Sequence, residues 1–232
     1  MEQNTQTISL KQANESVRRK FMNGVYGWMM LALAVSGIAA FVTANTSLVR
    51  VIYGNPIIPL ALVVVELILV GVLSLRIRSM SFGTAVGTFI AYSLVNGLTL
   101  ASIFLVYASS SIAQVFFVSA LMFGGMSLYG MKTKSDLRSA GRYLFMALVG
   151  IIIASLINVF LRSSGLDWLI SIIAVVVFTG LTAYDTQKLM TISVYSDGSD
   201  SFKKVAVIGA LQLYLDFINI FLSLLRLFGK RR

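Results

Sequence analysis

The chain contains no cysteine and no histidine, only two prolines, and only nine acidic residues among its 232. Without cysteine there is no disulfide, no thiol nucleophile and no thiolate metal site. Without histidine, Ser-His-Asp catalysis, haem ligation by imidazole and the ordinary zinc sites are excluded as well. The usual pH sensor near neutrality is also missing, so any proton-linked behaviour falls to carboxylates moved out of their ordinary range. Charged residues make up 12% of the chain, about half the roughly 25% of soluble domains, while 57% is hydrophobic. Mean hydropathy is +0.86. A soluble domain of this size has too little polar side chain to cover so apolar a surface. An ordinary water-soluble enzyme is therefore excluded.

What the chain does have is long apolar runs. A membrane-spanning helix needs about 20 mostly apolar residues. Seven runs qualify, near 24–45, 56–75, 83–107, 109–131, 141–161, 167–190 and 205–228. They show no period-two alternation, and backbone groups in lipid must be satisfied internally, so each reads as a helix. The expected fold is all-α, a polytopic membrane protein with seven transmembrane helices. Residues 1–23 form a cytoplasmic tail, 24–228 the membrane domain and 229–232 a basic tail. Pro56 and Pro59 stand at the start of the second run, where a missing N–H costs least. Gly83 and Gly87 at the start of the third run, and Gly124, Gly125 and Gly130 in the fourth, read as points of close helix packing.

The net charge of +10 is carried in short clusters between apolar runs, a pattern of membrane topology rather than of nucleic-acid binding. Lys11, Arg18, Arg19 and Lys20 precede the first run, and Arg76 and Arg78 follow the second. Lys132, Lys134, Arg138 and Arg142 follow the fourth, and Lys188, Lys203 and Lys204 lie around the last connection. The opposite connections hold only Arg50 and Arg162, so the positive-inside rule puts the N-terminus in the cytoplasm. The end of the chain resists, since seven spans put Arg226, Lys230, Arg231 and Arg232 outside. Either the last span is re-entrant or the tail is simply basic; seven full spans is the preferred reading. Arg18-Arg19 loosely resembles a twin-arginine export signal, but the apolar run continues past any cleavage point and six more follow, so a retained helix is expected.

Three acids lie at membrane depth: Glu66, Asp185 and Asp216. An ionisable group there costs a few kcal/mol and marks a functional hypothesis by default. In the seventh run Gln212, Asp216, Asn219, Ser223 and Arg226 follow one another at spacings of 4, 3, 4 and 3, which puts all five on one helical stripe. Such a stripe cannot face lipid, so the last helix should be central, lining a wettable path. Ser93 and Asn96 of the third run, Ser155 and Asn158 of the fifth and Thr182, Asp185 and Thr186 of the sixth are its candidate partners. At about 1.5 Å per residue, Asp185 lies roughly 13 Å from the cytoplasmic end of the sixth helix, and Asp216 and Glu66 each lie roughly 15 Å in. Asp185 and Asp216 can thus share a level, where two close carboxylates cannot both ionise freely and hold a proton between them. Glu66, flanked by Val65 and Leu67, reads as a lone and simply protonated acid.

Thr182-Ala-Tyr-Asp185-Thr-Gln187, Leu213-Tyr-Leu-Asp216-Phe-Ile-Asn219, Lys132-Thr-Lys-Ser-Asp136 and Ser93-Leu-Val-Asn-Gly97-Leu-Thr99 together resemble the Bax inhibitor family, across the whole membrane region. That resemblance implies a seven-helix bundle with the last helix in the middle, and a pH-sensitive calcium leak closed by paired aspartates and a basic residue at the inner end of the second helix. Carried over, the pair is Asp185 with Asp216, and the basic partner is Arg76 or Arg78. Glu66, Asn96, Gln212, Asn219, Ser223 and Arg226 make up the polar pathway. Calcium prefers six to eight oxygens, and two carboxylates give at most four, so binding would be weak and transient. No resident cofactor is expected. The short tails fit a multi-pass protein of a bacterial inner membrane.

Two other functions compete. One is a non-transporting regulator of a membrane-bound protease or of a stress response. The other is an intramembrane aspartyl protease, suggested by Tyr184-Asp185 with an Asp on the next helix. Against the latter, Leu213-Tyr-Leu-Asp216 lacks the Gly-x-Gly-Asp such enzymes use, so no enzymatic activity is expected. The cation asymmetry makes a direct prediction. A single cysteine at Ser135, in a chain with no other, should be labelled by impermeant maleimide only from the cytoplasmic side; labelling only from outside would reverse the orientation.

Overall fold

The computed structural model describes the backbone of residues 2–232 and the side chains of residues 15–232. The side chains of Glu2 and Lys11, the latter one of the cations counted above, lie outside the described residues. The chain forms eight helices: α1 (Glu2–Ala44), α2 (Leu48–Tyr53), α3 (Ile57–Arg76), α4 (Phe82–Val106), α5 (Ser109–Lys132), α6 (Arg138–Leu161), α7 (Ser164–Ser193) and α8 (Asp200–Phe228). All but α2 are long and apolar enough to cross a membrane, with α1 qualifying over Glu15–Ala44. At 1.5 Å per residue, spans of 20 to 30 residues reach about 30–45 Å, enough for the hydrocarbon core.

The helix boundaries have local causes. Pro56 is the N-cap of α3 and Pro59 lies in its first turn, while Asn55 Oδ1 accepts the Ile57 N–H at 2.9 Å. Ser81 Oγ accepts the Thr84 N–H at 3.1 Å to open α4. Asp136 Oδ1 accepts the Arg138 N–H at 2.9 Å to open α6. Arg162, at φ 50°, ends α6 in the left-handed conformation, steadied by Asn158 Oδ1, which accepts the Ser163 N–H at 3.0 Å. Three expectations change here. The polar stretch before the first span is helical and continuous with it, because no breaker separates them. The last helix begins at Asp200 rather than near 205. The first connection, expected to be irregular, contains α2.

Contacts divide the chain into two units, residues 1–102 with 188–211 and residues 103–187 with 212–232. In the first unit α1 lies against α4, where Ser36 Oγ donates to the Ser93 carbonyl at 2.7 Å. Gly97 allows that approach: a Cβ there would stand 2.6 Å from both Ala39 Cβ and the Ser36 carbonyl oxygen. Lys204 Nζ donates to the carbonyls of Arg78 (3.2 Å) and Met80 (2.9 Å), tying the start of α8 to the α3–α4 turn.

In the second unit α5 and α8 meet through Phe116 and Phe123, whose rings lie 5.3 and 5.7 Å from that of Phe217. Gly130 of α5 abuts the Ala183 backbone of α7, leaving no room for a side chain. The chain end packs on the α4–α5 turn: Ala108 N–H donates to the Lys230 carbonyl (2.9 Å) and Arg232 N–H to the Val106 carbonyl (3.0 Å). Arg226 Nη1 lies 3.9 Å from Asp167 Oδ1 at the start of α7. α8 is one unbroken helix of 29 residues, long and apolar enough to cross a membrane, which favours a full span over a re-entrant one.

Burial separates the helices. Of the most apolar window of α8, 67% is buried, against none of that of α6 and 6% of that of α3. The last helix is thus the most enclosed, and α3 and α6 turn their apolar side chains outward, as lipid allows.

The glycine expectation is partly overturned. Gly87, Gly124 and Gly125 have no atom within 4 Å of a built Cβ, and Gly83 only its neighbour Ser81 at 3.9 Å. Of the five glycines singled out, Gly130 alone marks a close contact, and Gly97 joins it. Gly97→Ala is therefore expected to lower stability by about 1–3 kcal/mol through overpacking, whereas Gly124→Ala stays within about 0.5 kcal/mol. Thermal unfolding in detergent distinguishes the two; equal melting temperatures would contradict the packing.

Candidate functional site

Every polar residue of the segment Thr182–Gln187 has a defined place, and most places are structural. Thr182 is fully buried and its hydroxyl donates to the Phe178 carbonyl at 2.8 Å. Tyr184 covers Gly141, where a Cβ would come within 2.5 Å of its ring. Thr186 and Ser127 share a hydrogen bond of 3.1 Å between α7 and α5. Gln187 clasps the α5–α6 connection, accepting the Leu137 N–H at 2.9 Å and donating to the Ser135 carbonyl at 2.8 Å. The Lys132–Asp136 segment and the Thr182–Gln187 segment, far apart in sequence, thus meet in one clasp.

Asp185 is the exception in this run, half-buried on α7 and within electrostatic reach of Asp216 on α8. Asp216 is only 4% exposed, and its Oδ2 is enclosed with no hydrogen-bond partner among the described residues. A buried carboxylate oxygen without a donor forfeits about 1–3 kcal/mol or more. Two acids are thus brought together, and Asp216 keeps one oxygen without a donor.

Along α8 the rest of the stripe diverges. Asn219 Nδ2 turns back to the Leu215 carbonyl (2.8 Å), Ser223 is buried, Gln212 is half-buried and Arg226 is exposed near Asp167. Asn219, Ser223 and Arg226 line a cavity of about 290 Å³ whose other walls include Ser155 of α6 and Phe178 of α7. Ser155 thus faces the stripe as expected. Asn158 does not, because its amide oxygen is spent on the turn after α6.

Glu66 is not the lone acid that its flanking residues suggest. Thr99 Oγ1 donates to its Oε1 at 2.6 Å and Asn96 Nδ2 to its Oε2 at 3.2 Å, one donor for each oxygen. Next to this pair stands Tyr53 of α2, a residue that sequence reasoning passed over. Its hydroxyl lies 2.9 and 2.8 Å from the Leu98 and Thr99 carbonyls and accepts the Ser102 N–H at 3.2 Å. Burial pushes the Tyr53 phenol above its ordinary range, so it remains a neutral donor. Arg76, the last residue of α3, and Arg78, in the turn beyond it, both have exposed side chains. Among the described residues no group of three or more acids, histidines or cysteines is placed to hold a metal ion.

Seven crossing helices and paired membrane acids on the last two define an all-α multi-pass membrane protein. The family model described as "Inhibitor of apoptosis-promoting Bax1" matches residues 18–232, and the chain belongs to this Bax inhibitor family. It is 48% identical to "Inner membrane protein YbhL" of Escherichia coli, over 91% of this chain and 92% of that one. Proteins of Borreliella burgdorferi (43% identity, 97% of this chain and 99% of that one) and Rickettsia prowazekii (38%, 98% and 96%) are also similar.

The Glu66 cluster makes its own prediction. Thr99→Val removes the shortest donor to a membrane carboxylate and is expected to cost about 1–3 kcal/mol of stability, while Thr99→Ser keeps the hydroxyl and most of the stability. Denaturation of the two variants in detergent measures the difference; equal losses would make the contact a packing effect.

Proposed function

We propose that this chain is a pH-sensitive cation leak of a bacterial inner membrane, passing calcium, with its N-terminus in the cytoplasm and Asp185 and Asp216 as the gate. The observation that supports it is Asp216: a nearly fully buried carboxylate on the most enclosed helix, with one oxygen lacking a donor and a second acid within reach. The name of the Escherichia coli relative supports the membrane, and the cation asymmetry supports the orientation.

In this reading the pair holds one proton in the closed state, and a hydrogen bond between the carboxyls fastens α7 to α8. Loss of that proton leaves two charges in a low dielectric, and repulsion separates them. Asp185, the less buried of the two, is the one that moves. The exposed guanidinium of Arg76 or of Arg78 supplies the basic member of the latch. Two carboxylates with water, Asn219 and Ser223 nearby on α8 give weak calcium binding, which suits passage rather than storage.

Calcium flux into liposomes holding only the purified protein, followed from about pH 5 to pH 8, tests the reading. Flux is expected to change with pH and to lose that dependence in the Asp185→Asn/Asp216→Asn double variant, since the chain has no histidine to replace the pair. Asp216→Asn is expected to disturb flux more than Glu66→Gln, because Glu66 is already satisfied by Thr99 and Asn96. An unchanged pH profile in the double variant would put the sensor elsewhere, and no flux at all would favour a non-transporting regulator.

A further inference from the structure

The first unit contains a second cavity, of about 470 Å³, that the acid pair does not use. It forms where α1 passes from its polar stretch into its apolar run, at the first residue of α4 and in the first turns of α8. A change from polar to apolar along a spanning helix is the composition expected where a membrane passes from headgroup to hydrocarbon. The lining has two characters, the charged Lys20, Lys203 and Asp197 and the aromatic Phe21, Trp28 and Phe82. Trp28 and Phe82 stand edge to face with ring centroids 6.1 Å apart, and Lys203 Nζ lies 5.8 Å from the Phe82 centroid. Gly198, at φ 76°, makes a left-handed turn that a side chain would strain, and this turn brings Ser196–Gly198 into the lining.

The charge balance at this end is positive. Arg18, Arg19, Lys20, Lys203 and Lys204 stand against Glu15, Asp197 and Asp200. Lys204 is committed to the Arg78 and Met80 carbonyls. Lys203 pairs with Asp200 at 2.9 Å, but both side chains are more than half exposed, and such a pair yields readily to a stronger anion. Asp197 also lines the cavity, its carboxyl held below its ordinary range by hydrogen bonding from Ser199.

We infer that this cavity binds one anionic phospholipid, its phosphate between Lys20 and Lys203 and the start of an acyl chain along Phe21, Trp28 and Phe82. An amphiphile is the ligand class that matches a site half basic and half aromatic at the membrane boundary. A zwitterionic lipid would bring an amine into a rim that is already positive. The site stands whether or not the chain conducts ions.

Trp28 is the built-in reporter. The chain has two tryptophans, so a Trp168→Phe variant leaves Trp28 as the single emitter. This variant is placed in phosphatidylcholine nanodiscs containing small mole fractions of phosphatidylglycerol, phosphatidylethanolamine or phosphatidylcholine with brominated acyl chains. Brominated phosphatidylglycerol is expected to quench Trp28 at a several-fold lower mole fraction than the other two. Adding Lys20→Gln and Lys203→Gln should raise the half-quenching fraction roughly tenfold or more, the effect expected of two basic side chains at a headgroup. Lys20→Arg/Lys203→Arg keeps the preference, and Lys134→Gln, outside the cavity, leaves the curve unchanged. If the double Gln variant does not fold, each single Gln variant is expected to carry part of the loss. Equal quenching by the three lipids, or a preference that survives removal of both lysines, overturns the proposal.

Discussion

The polar stripe of α8 is the constraint from which the arrangement follows. Gln212, Asp216, Asn219, Ser223 and Arg226 lie on one side of a helix that must cross hydrocarbon, where each would cost several kcal/mol if turned to lipid. Enclosure of α8 by protein removes that cost, and enclosing one helix requires others to take the lipid-facing positions. α6 and α3 do so with side chains that lose nothing by exposure to acyl chains. Phe116 and Phe123 of α5 pack edge to face against Phe217, the residue after Asp216 on α8.

The structure keeps acids inside the membrane in two opposite ways. Glu66 receives one donor on each oxygen, and Tyr53 beside it donates to the neighbouring α4 carbonyls of Leu98 and Thr99. Such an acid is a structural member, stable in one arrangement. Asp216 has an oxygen with no donor and a like charge within reach, so its best arrangement depends on what else is bound. In the gate proposed above, that unsatisfied oxygen is where a proton or a cation binds.

Much of this was legible in the sequence because lipid imposes long-range regularity. Seven apolar runs of sufficient length, two prolines placed at a helix start, and three acids inside the runs can be read without any tertiary information. The six residues of α2 are too few to show a period, so Tyr53 went unnoticed although its aromatic ring between apolar neighbours was the one available signal. Gly83, Gly87, Gly124 and Gly125 show that small-residue spacing identifies where a helix permits close approach, not whether a neighbour comes. Counting cations left the far end of α8 undecided, because Arg226 and the basic tail argue against the side that seven spans imply; the packing of Lys230 and Arg232 on the α4–α5 turn is tertiary information. Gln187 was visible only as part of a motif; that it clasps a connection some fifty residues earlier is tertiary information.

The fastening of α8 at both ends limits how the proposed gate around Asp216 would work. At its start Lys204 grips two carbonyls of the α3–α4 turn, and past its end Lys230 and Arg232 exchange main-chain hydrogen bonds with Val106 and Ala108. A helix pinned in this way cannot act as a piston, since any slide along its axis breaks bonds at one end or the other. It behaves as a fixed mast. In the proposed gate, the motion around the acid pair is then a rotation or tilt of α7, whose Asp185 lies eight residues before its end at Ser193.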